Sequence, residues 1–512
     1  MDAVRALYRA AAAVAEHHDD QTIMALHVPT PVDEVLAAES AAGRIVFVTG
    51  NPGDGKTHLI RRTRDRFPPT VEVCLDANER SNDALAELVD AALATGTGLV
   101  MAINEGILVD LSVTARPRAW ADDVRHKLLR ALCYGEVQTD PGDDRIRVID
   151  LNLRSTLAPE VVAPAMDRVL TMAAPCEQCP LGRCRAVRNA QRLRDEPEVR
   201  QRLIDLLDMV GRSGVHATMR DLLGFIAYII CGQRSCCPPN EPGQDASPYY
   251  VNAFEGGAGP LFDAVRRFDP LWRPMPLLDD ALWRHTDAAQ DWLVANGAEV
   301  RRPGEEEPAF VRRKRRAYFE HRSGRGDLEL AGGDVDLAFR EMTDRRRTGP
   351  RRLIGLLNRL FDRTDVAEDM LHLWTTHRYD ARPTRYAAAR WHVPALQMRV
   401  LVPELPPQVA AAFPSYRPDH VILNHHDLSP SEGLTIDRTL LEALLGAQVG
   451  GPGARSGEPA ARIAAFFDRL ARIARREWLA TPSAPQVQVL DMDAGHRVVL
   501  GVDVETGSFV RP

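Results

Sequence analysis

Apolar residues follow two rhythms in the first half of the chain, and their alternation predicts its architecture. Val4, Leu7, Ala11 and Val14 recur at helical spacing and predict a helix over residues 2–17. The prolines of HVPTPV, residues 27–32, predict an extended lead-in, followed by a short helix over 33–42. The β-branched run at 45–48 then reads as a buried strand that breaks at Gly50, with a helix over 58–67 beyond it. Further strands are predicted at 71–75, 98–103 and 147–151, with a helix at 82–93 between the first two. Strands alternating with helices imply a parallel sheet covered on both faces. Such sheets bind ligands at the carboxyl ends of their strands, where Asp76, Asn104, Glu105 and Asn152 fall.

Beyond this core the pattern changes twice. An amphipathic helix is predicted at 218–230, followed by a turn-rich stretch at 236–248 and aromatic and apolar residues at 249–273 that suit a helical domain. From about Trp391 short strands are predicted at 397–402, 420–423, 487–490 and 498–502, with helices at 438–445 and 459–478, which describes a small α+β domain. The expected division is a helical lead-in at 1–40, an α/β core with a cysteine-rich insertion and a lid at 41–240, a helical and locally basic middle at 241–390, and the α+β domain at 391–512.

The break between the first strand and its helix carries the chemistry. Residues 50–58 read GNPGDGKTH and match G-x-x-x-x-G-K-[ST] at every fixed position: Gly50, Asn51, Pro52, Gly53, Asp54, Gly55, Lys56 and Thr57, with His58 next. The glycines let backbone N–H groups turn inward around a phosphate, and the helix N-terminus adds its partial positive charge. Lys56 can reach the β- and γ-phosphates, and Thr57 can hold Mg²⁺. A nucleoside triphosphate, ATP with Mg²⁺, is the expected ligand. Composition sharpens this. Lys56, Lys127 and Lys314 are the only lysines in a chain rich in arginine, so lysine is retained where a compact ammonium suits phosphate.

Hydrolysis of a γ-phosphate needs a carboxylate to orient or deprotonate water, a polar group at the γ-phosphate and an acid near magnesium. Glu105 fits the first role and Asn152 the second. The residue before Glu105 is Asn104, which brings no charge, so metal binding leans on Thr57 and Asp76. The ordered set GNPGDGKTH, GLVMAINEG, RVIDLN and HATMRDLLGFIAYIICG resembles an AAA+ or closely related P-loop ATPase. More narrowly it resembles the bacterial ATPases of DNA phosphorothioation-dependent restriction, the DptF type, and related antiphage defence ATPases. The resemblance implies a P-loop NTPase core with a helical lid, Lys56 and Thr57 on phosphate and magnesium, Glu105 as hydrolytic glutamate, Asn152 as sensor 1 and Arg220 as sensor 2. It also implies an ATP-driven switch or motor serving a larger antiphage complex, with partner proteins and self-association. Asn104 departs from that pattern, as does the lack of a clear fifth strand between Leu153 and Arg220. Asn104 favours a second reading, a nucleotide-binding signalling or scaffold protein with little turnover.

Three further features bear on function. Cys176, Cys179 and Cys184 form a C-x2-C turn with a returning third thiol, which suits zinc if Cys231, Cys236, Cys237 or His216 supplies a fourth ligand; a reduced thiol cluster is the other reading. The arginine runs at 312–316 and 345–352 lie near aromatics and suit a DNA or RNA backbone, a protein interface or a solvated face. His425, His426 and Asp427 lack metal-ligand spacing and read as structural. The net charge of −7 argues against a uniformly basic nucleic-acid coat. No apolar run nears the ~20 residues of a membrane span and the N-terminus lacks a signal-peptide core, so a cytoplasmic protein is expected.

Overall fold

The computed structural model describes residues 2–11, 25–129, 144–173, 184–232, 247–274, 310–320, 333–344, 349–362, 367–375, 386–448, 457–480, 486–503 and 508–510, with a few single positions between them. The chain divides into two compact units. One comprises Met1–Cys133, Val137–Ala331 and Leu405–Arg417; the other comprises Tyr134–Glu136, Gly332–Glu404 and Pro418–Pro512.

The first unit opens with α1 (Asp2–Ala11) and α2 (Pro31–Ala41), then alternates β1 (Ile45–Thr49), α3 (Lys56–Thr63), β2 (Glu72–Cys74), α4 (Asn82–Thr95), β3 (Leu99–Ala102), α5 (Glu105–Thr114), α6 (Ala119–Leu129) and β4 (Ile146–Asp150). Pro31 begins α2 rather than ending an extended lead-in, because proline fits the first helical position where its missing N–H costs nothing. The four strands form one parallel sheet in the order β2-β3-β1-β4, with Ile45 opposite Leu99 on one side and Ile146 on the other. The chain is thus mixed α/β with a four-stranded parallel sheet. Every residue of β1 is buried, and its alternate side chains serve two cores. Ile45 and Phe47 pack with Leu85, Leu108 and Trp120 from α4, α5 and α6; Val46 and Val48 pack with Leu36 of α2 and Ile60 of α3. Phe413, from the Leu405–Arg417 stretch, joins the second of these cores.

Between β4 and residue 232 lie α7 (Pro159–Met172), α8 (Arg185–Asp195), α9 (Pro197–Arg212) and α10 (Met219–Cys231), with no further strand among the described residues. These helices share a core with α1, with α11 (Pro260–Arg266) and with Tyr318 and Phe319 of α12 (Phe310–Glu320). The expected 241–390 domain is therefore split. Its first part belongs to the helical core of the first unit, and its last part belongs to the second.

The second unit contains α13 (Gly333–Asp344), α14 (Gly349–Arg359), β5 (Met370–Thr375), β6 (Tyr386–Pro394), β7 (Met398–Leu401), β8 (His420–His425), β9 (Leu434–Asp437), α15 (Arg438–Gln448), α16 (Gly457–Ala480), β10 (Gln486–Asp491), β11 (His496–Val502) and β12 (Phe509–Val510). Its antiparallel sheets run β12-β11-β10-β6-β5 and β7-β8-β9. The α+β expectation holds for its helices and most strands. β5 and β6 begin before Trp391, in a stretch read as helical, so the sheet is larger than expected. Among the described residues no helix is long and apolar enough to cross a membrane.

Candidate functional site

The site assembles at the carboxyl edge of the parallel sheet. Gly50, Asp76, Asn104, Glu105 and Asn152 all lie within three residues of the ends of their strands, because parallel strands place those ends on one edge. The 50–58 loop joins β1 to α3. Gly50 has φ +140, and a Cβ there would lie 2.8 Å from Asp54 Oδ2; Gly53 has φ +104, and a Cβ there would lie 3.1 Å from Thr218 Oγ1. A side chain at either position would be strained and would displace the loop's own packing.

Lys56 is 8% exposed and donates to the carbonyls of Gly50 at 3.0 Å and Asn51 at 2.9 Å. Among the described residues it makes no ion pair. Burial lowers its pKa, Asp54, Asp76 and Asp150 oppose that, and the positive charge of Arg220 adds to it. Arg220 is half-buried in the first turn of α10, its backbone N–H reaches the Gly53 carbonyl at 3.4 Å, and among the described residues its guanidinium has no carboxylate partner. Arg154 donates to the Asp54 carbonyl at 2.6 Å, and its Nε is buried without a hydrogen-bond partner. Burial lowers its pKa too. Three cationic residues thus meet at a glycine loop; Asp54 and other acids attract two of them from a distance, but among the described residues none is in an ion pair with a carboxylate.

Thr57 donates from Oγ1 to the carbonyl of Leu75 at 3.3 Å, so the hydroxyl sits at the end of β2, immediately before Asp76. Asp76 is exposed and accepts from the Asn78 N–H at 2.9 Å. Asn104 is the N-cap residue of α5, its N–H points to Asn78 Oδ1 at 3.4 Å, and its side chain makes no cap hydrogen bond. Asp76 thus follows directly on the residue whose carbonyl Thr57 contacts, just beyond β2, an edge strand of the sheet.

Glu105, Asn152 and Asn51 form a chain. Asn51 Nδ2 donates to Asn152 Oδ1 at 2.9 Å, and Asn152 Nδ2 donates to Glu105 Oε2 at 2.8 Å. Behind it, burial pushes Asp150 up to about 6, with the charges of Glu105 and Asp54 adding to the effect and the Asn152 N–H opposing it. His58 is not part of the loop's cradle. Its Nε2 lies 2.9 Å from Nδ1 of His27, which in turn meets Asp33 at 3.2 Å.

The cysteine expectation lies largely outside the described residues, which exclude Cys176, Cys179, Cys236 and Cys237. Cys184 and Cys231 both pack in the helical core, and His216 is engaged by Asp54 of the loop, 3.3 Å from its Nε2. The 312–316 run does not form an exposed basic strip. Lys314 and Arg315 are buried, Arg316 pairs with Glu320, and Arg312 is exposed. Of the second run, residues 345–347 lie outside the described residues, and Arg352 pairs with Glu341. His425, His426 and Asp427 bring their ligand atoms within 4.8 Å of one another. His425 Nδ1 already accepts the Asp427 N–H at 3.1 Å, and His426 Nδ1 meets the Gln397 carbonyl at 3.0 Å, which supports a structural role.

No family model, curated protein or solved structure matches this chain. Sequence reasoning missed Arg154, although it stands two residues after Asn152 and shares its signal, a polar cluster at a strand end. It also missed the pairing of Asp54 with His216, for which no local signal exists.

Proposed function

We propose that this chain is an AAA+-like P-loop ATPase that binds ATP with Mg²⁺ on the 50–58 loop and hydrolyses the γ-phosphate, with α10 as its lid. The observation that carries the reading is the gathering of Lys56, Arg154 and Arg220 at that loop with no carboxylate among the described residues in an ion pair with any of them. Cations gathered in a half-buried site repel one another, so the arrangement favours a polyanion. In this reading Lys56 and the loop N–H groups hold the β- and γ-phosphates, Arg220 reaches the γ-phosphate, and Thr57 and Asp76 hold the metal. Mg²⁺, when bound, draws charge from the phosphate oxygens. Glu105 orients or deprotonates the attacking water. Asn152 contacts the γ-phosphate through the amide that otherwise holds Glu105, so phosphate competes for that amide and releases the carboxylate.

The wider role, a switch or motor subunit of a nucleic-acid-targeting antiphage complex with partner proteins and self-association, rests on the sequence resemblance. DNA contact is assigned to that complex as a whole, since the 312–316 run is largely committed to internal pairs. The second reading, a nucleotide-binding scaffold with little turnover, is favoured by the uncharged Asn104 and by the hold of Asn152 on Glu105.

Calorimetric titration with Mg·ATP and steady-state hydrolysis test both readings. Glu105→Gln is expected to keep the dissociation constant within about threefold while lowering turnover roughly 100-fold or more, as for loss of a general base. Absence of ATP binding by the wild type would end the first reading and the second together. Binding without turnover selects the scaffold.

A further inference from the structure

We propose that Asp54 and His216 form a latch that sets the N-terminus of α10, and with it Arg220, on the phosphate loop, so that nucleotide affinity follows the charge of His216. The inference rests on the nucleotide reading above and adds a positioning pair and a regulation to that same site.

Asp54 is an unusual residue for an anion-binding loop. It is fully buried, and its negative charge lies among the backbone groups expected to face phosphate. Its two oxygens are both used. Oδ2 accepts the Asn51 N–H at 2.6 Å, which holds the loop closed on itself, and Oδ1 faces His216 Nε2 at 3.3 Å. His216 lies two residues before Thr218, whose hydroxyl accepts the Asp221 N–H at 3.1 Å while the Asp221 carboxylate accepts the Thr218 N–H at 3.0 Å; this reciprocal cap fixes where α10 begins. The same short segment touches the loop twice more. Thr218 packs on Gly53, and the Arg220 N–H reaches the Gly53 carbonyl. Three contacts therefore join loop residues 53 and 54 to residues 216, 218 and 220, and only the Asp54 to His216 contact depends on charge.

The groups facing His216 are Asp54, Asp150 and Arg154. The hydrogen bond from Asp54 raises the pKa of His216, burial opposes it, Asp54 and Asp150 add attraction and Arg154 subtracts. When His216 is protonated, the Asp54 charge is neutralised and α10 is drawn onto the loop. When His216 is neutral, the buried Asp54 charge in the loop is no longer offset by the imidazole and the pair loosens. Affinity should thus fall as pH rises through a value above the ordinary 6.5 of histidine. Asp54 and His216 are positioning residues: they act through Arg220 and the loop.

The test uses the full chain and a fluorescent N-methylanthraniloyl ATP with Mg²⁺, titrated from pH 6 to pH 9. The wild type, His216→Gln, Asp54→Asn and Lys56→Ala are compared. The wild type is expected to lose about tenfold in affinity across the range, a typical coupling between linked sites. His216→Gln should show a flat profile, because glutamine keeps a donor and never carries the charge. Asp54→Asn keeps the acceptor for Asn51 and should flatten the profile in the same way. Subtracting the variant profile removes the ligand's own titration. His216 is partly exposed, so its variant remains an informative one if the buried Asp54 change impairs folding. Identical pH profiles in wild type and His216→Gln would overturn the latch while leaving the nucleotide reading intact. Probe binding that is absent in the wild type, or unaffected by Lys56→Ala, would overturn the nucleotide reading itself and the latch with it.

Discussion

Lys56 and the pair Lys314–Arg315 are buried cations in the same compact unit, and they are treated in opposite ways. Lys314 and Arg315 are 1% and 5% exposed, and each is matched by carboxylates. Lys314 meets Asp279 at 2.7 Å; Arg315 grips Asp269 through Nε at 3.0 Å and pairs with Glu255 as well. Burial works against the charge of Arg315, and Asp269 and Glu255 more than offset it, so its pKa is raised. Lys56 has two carbonyls and, among the described residues, no paired carboxylate, and its pKa is lowered. The difference separates a structural cation from one held ready for a ligand. Burying a charge is costly unless it is paired, so a fold that leaves three cations unmatched at one loop forgoes stability there.

The largest effect that would break this comparison is expected on the structural side. Asp269→Asn leaves the Arg315 guanidinium buried with its main counter-charge removed, while the amide oxygen can still accept the Leu271 N–H. Breaking a buried pair by removing one partner costs about 3–5 kcal/mol. Urea denaturation should show that loss, and the folded fraction should bind nucleotide as the wild type does. A stability change under about 1 kcal/mol would mean the pair is not the neutralising contact it is taken to be.

The complementary change is smaller in energy and opposite in kind. Lys56→Ala should weaken ATP binding by roughly 100-fold, about 2.7 kcal/mol, with little loss of stability, since only hydrogen bonds to loop carbonyls disappear. Calorimetry and thermal unfolding on one preparation check both halves. Loss of stability together with unchanged affinity would make Lys56 a second Lys314.

Why one cation site was legible in the sequence and the other was misread follows from helix geometry. The phosphate-type loop announces itself locally: an apolar run ends at Gly50, and the loop's own fixed positions fall within eight successive residues, 50–57, whereas Arg154 comes from beyond β4 and left no such signal. The first strand was readable to within a residue for the same reason, because all of β1 is apolar or buried. The 312–316 run looked like a surface strip because charge was counted without its face. Tyr318 and Phe319 are core residues, and the positions four earlier are Lys314 and Arg315, so the apolar face of α12 carries those two cations inward. The strand order β2-β3-β1-β4, the docking of α10 on the loop and the pair between Asp54 and His216, 162 residues apart, are set by packing that no local pattern encodes. β5 and β6 were missed because neither shows strict alternation: β5 reads MLHLWT, and β6 reads YAAARWHVP with three successive alanines.

The smallest expected effect contrasts the two units through their titrating groups. In the first unit, burial is the leading cause that lowers His58 to about 4, with the charge of His27 adding to it, and burial likewise raises Asp150 to about 6. In the second, burial lowers His392 to about 4, helped by His372, whose Nδ1 lies 2.8 Å from that of His392, and by Arg497. A histidine whose folded pKa lies below its unfolded 6.5 contributes stability that is complete above 6.5 and is lost as pH falls toward about 4. An acid raised from 3.8 to about 6 does the reverse: its contribution is complete below 3.8 and is lost as pH rises through 6. Between about pH 4 and 6.5 His58 and Asp150 therefore oppose one another in the first unit, whereas the causes acting on His392 are burial and the positive charges of His372 and Arg497, all in one direction. Hydrogen exchange followed by mass spectrometry can read β6 peptides separately from β1 peptides. Relative to its own protection at pH 7, β6 should lose protection at pH 5 in the wild type, and His392→Gln should remove most of that pH-dependent loss. β1 should change little between the two pH values in either protein. Equal pH dependence of β6 in wild type and variant would show that the His372–His392 pair does not govern that strand.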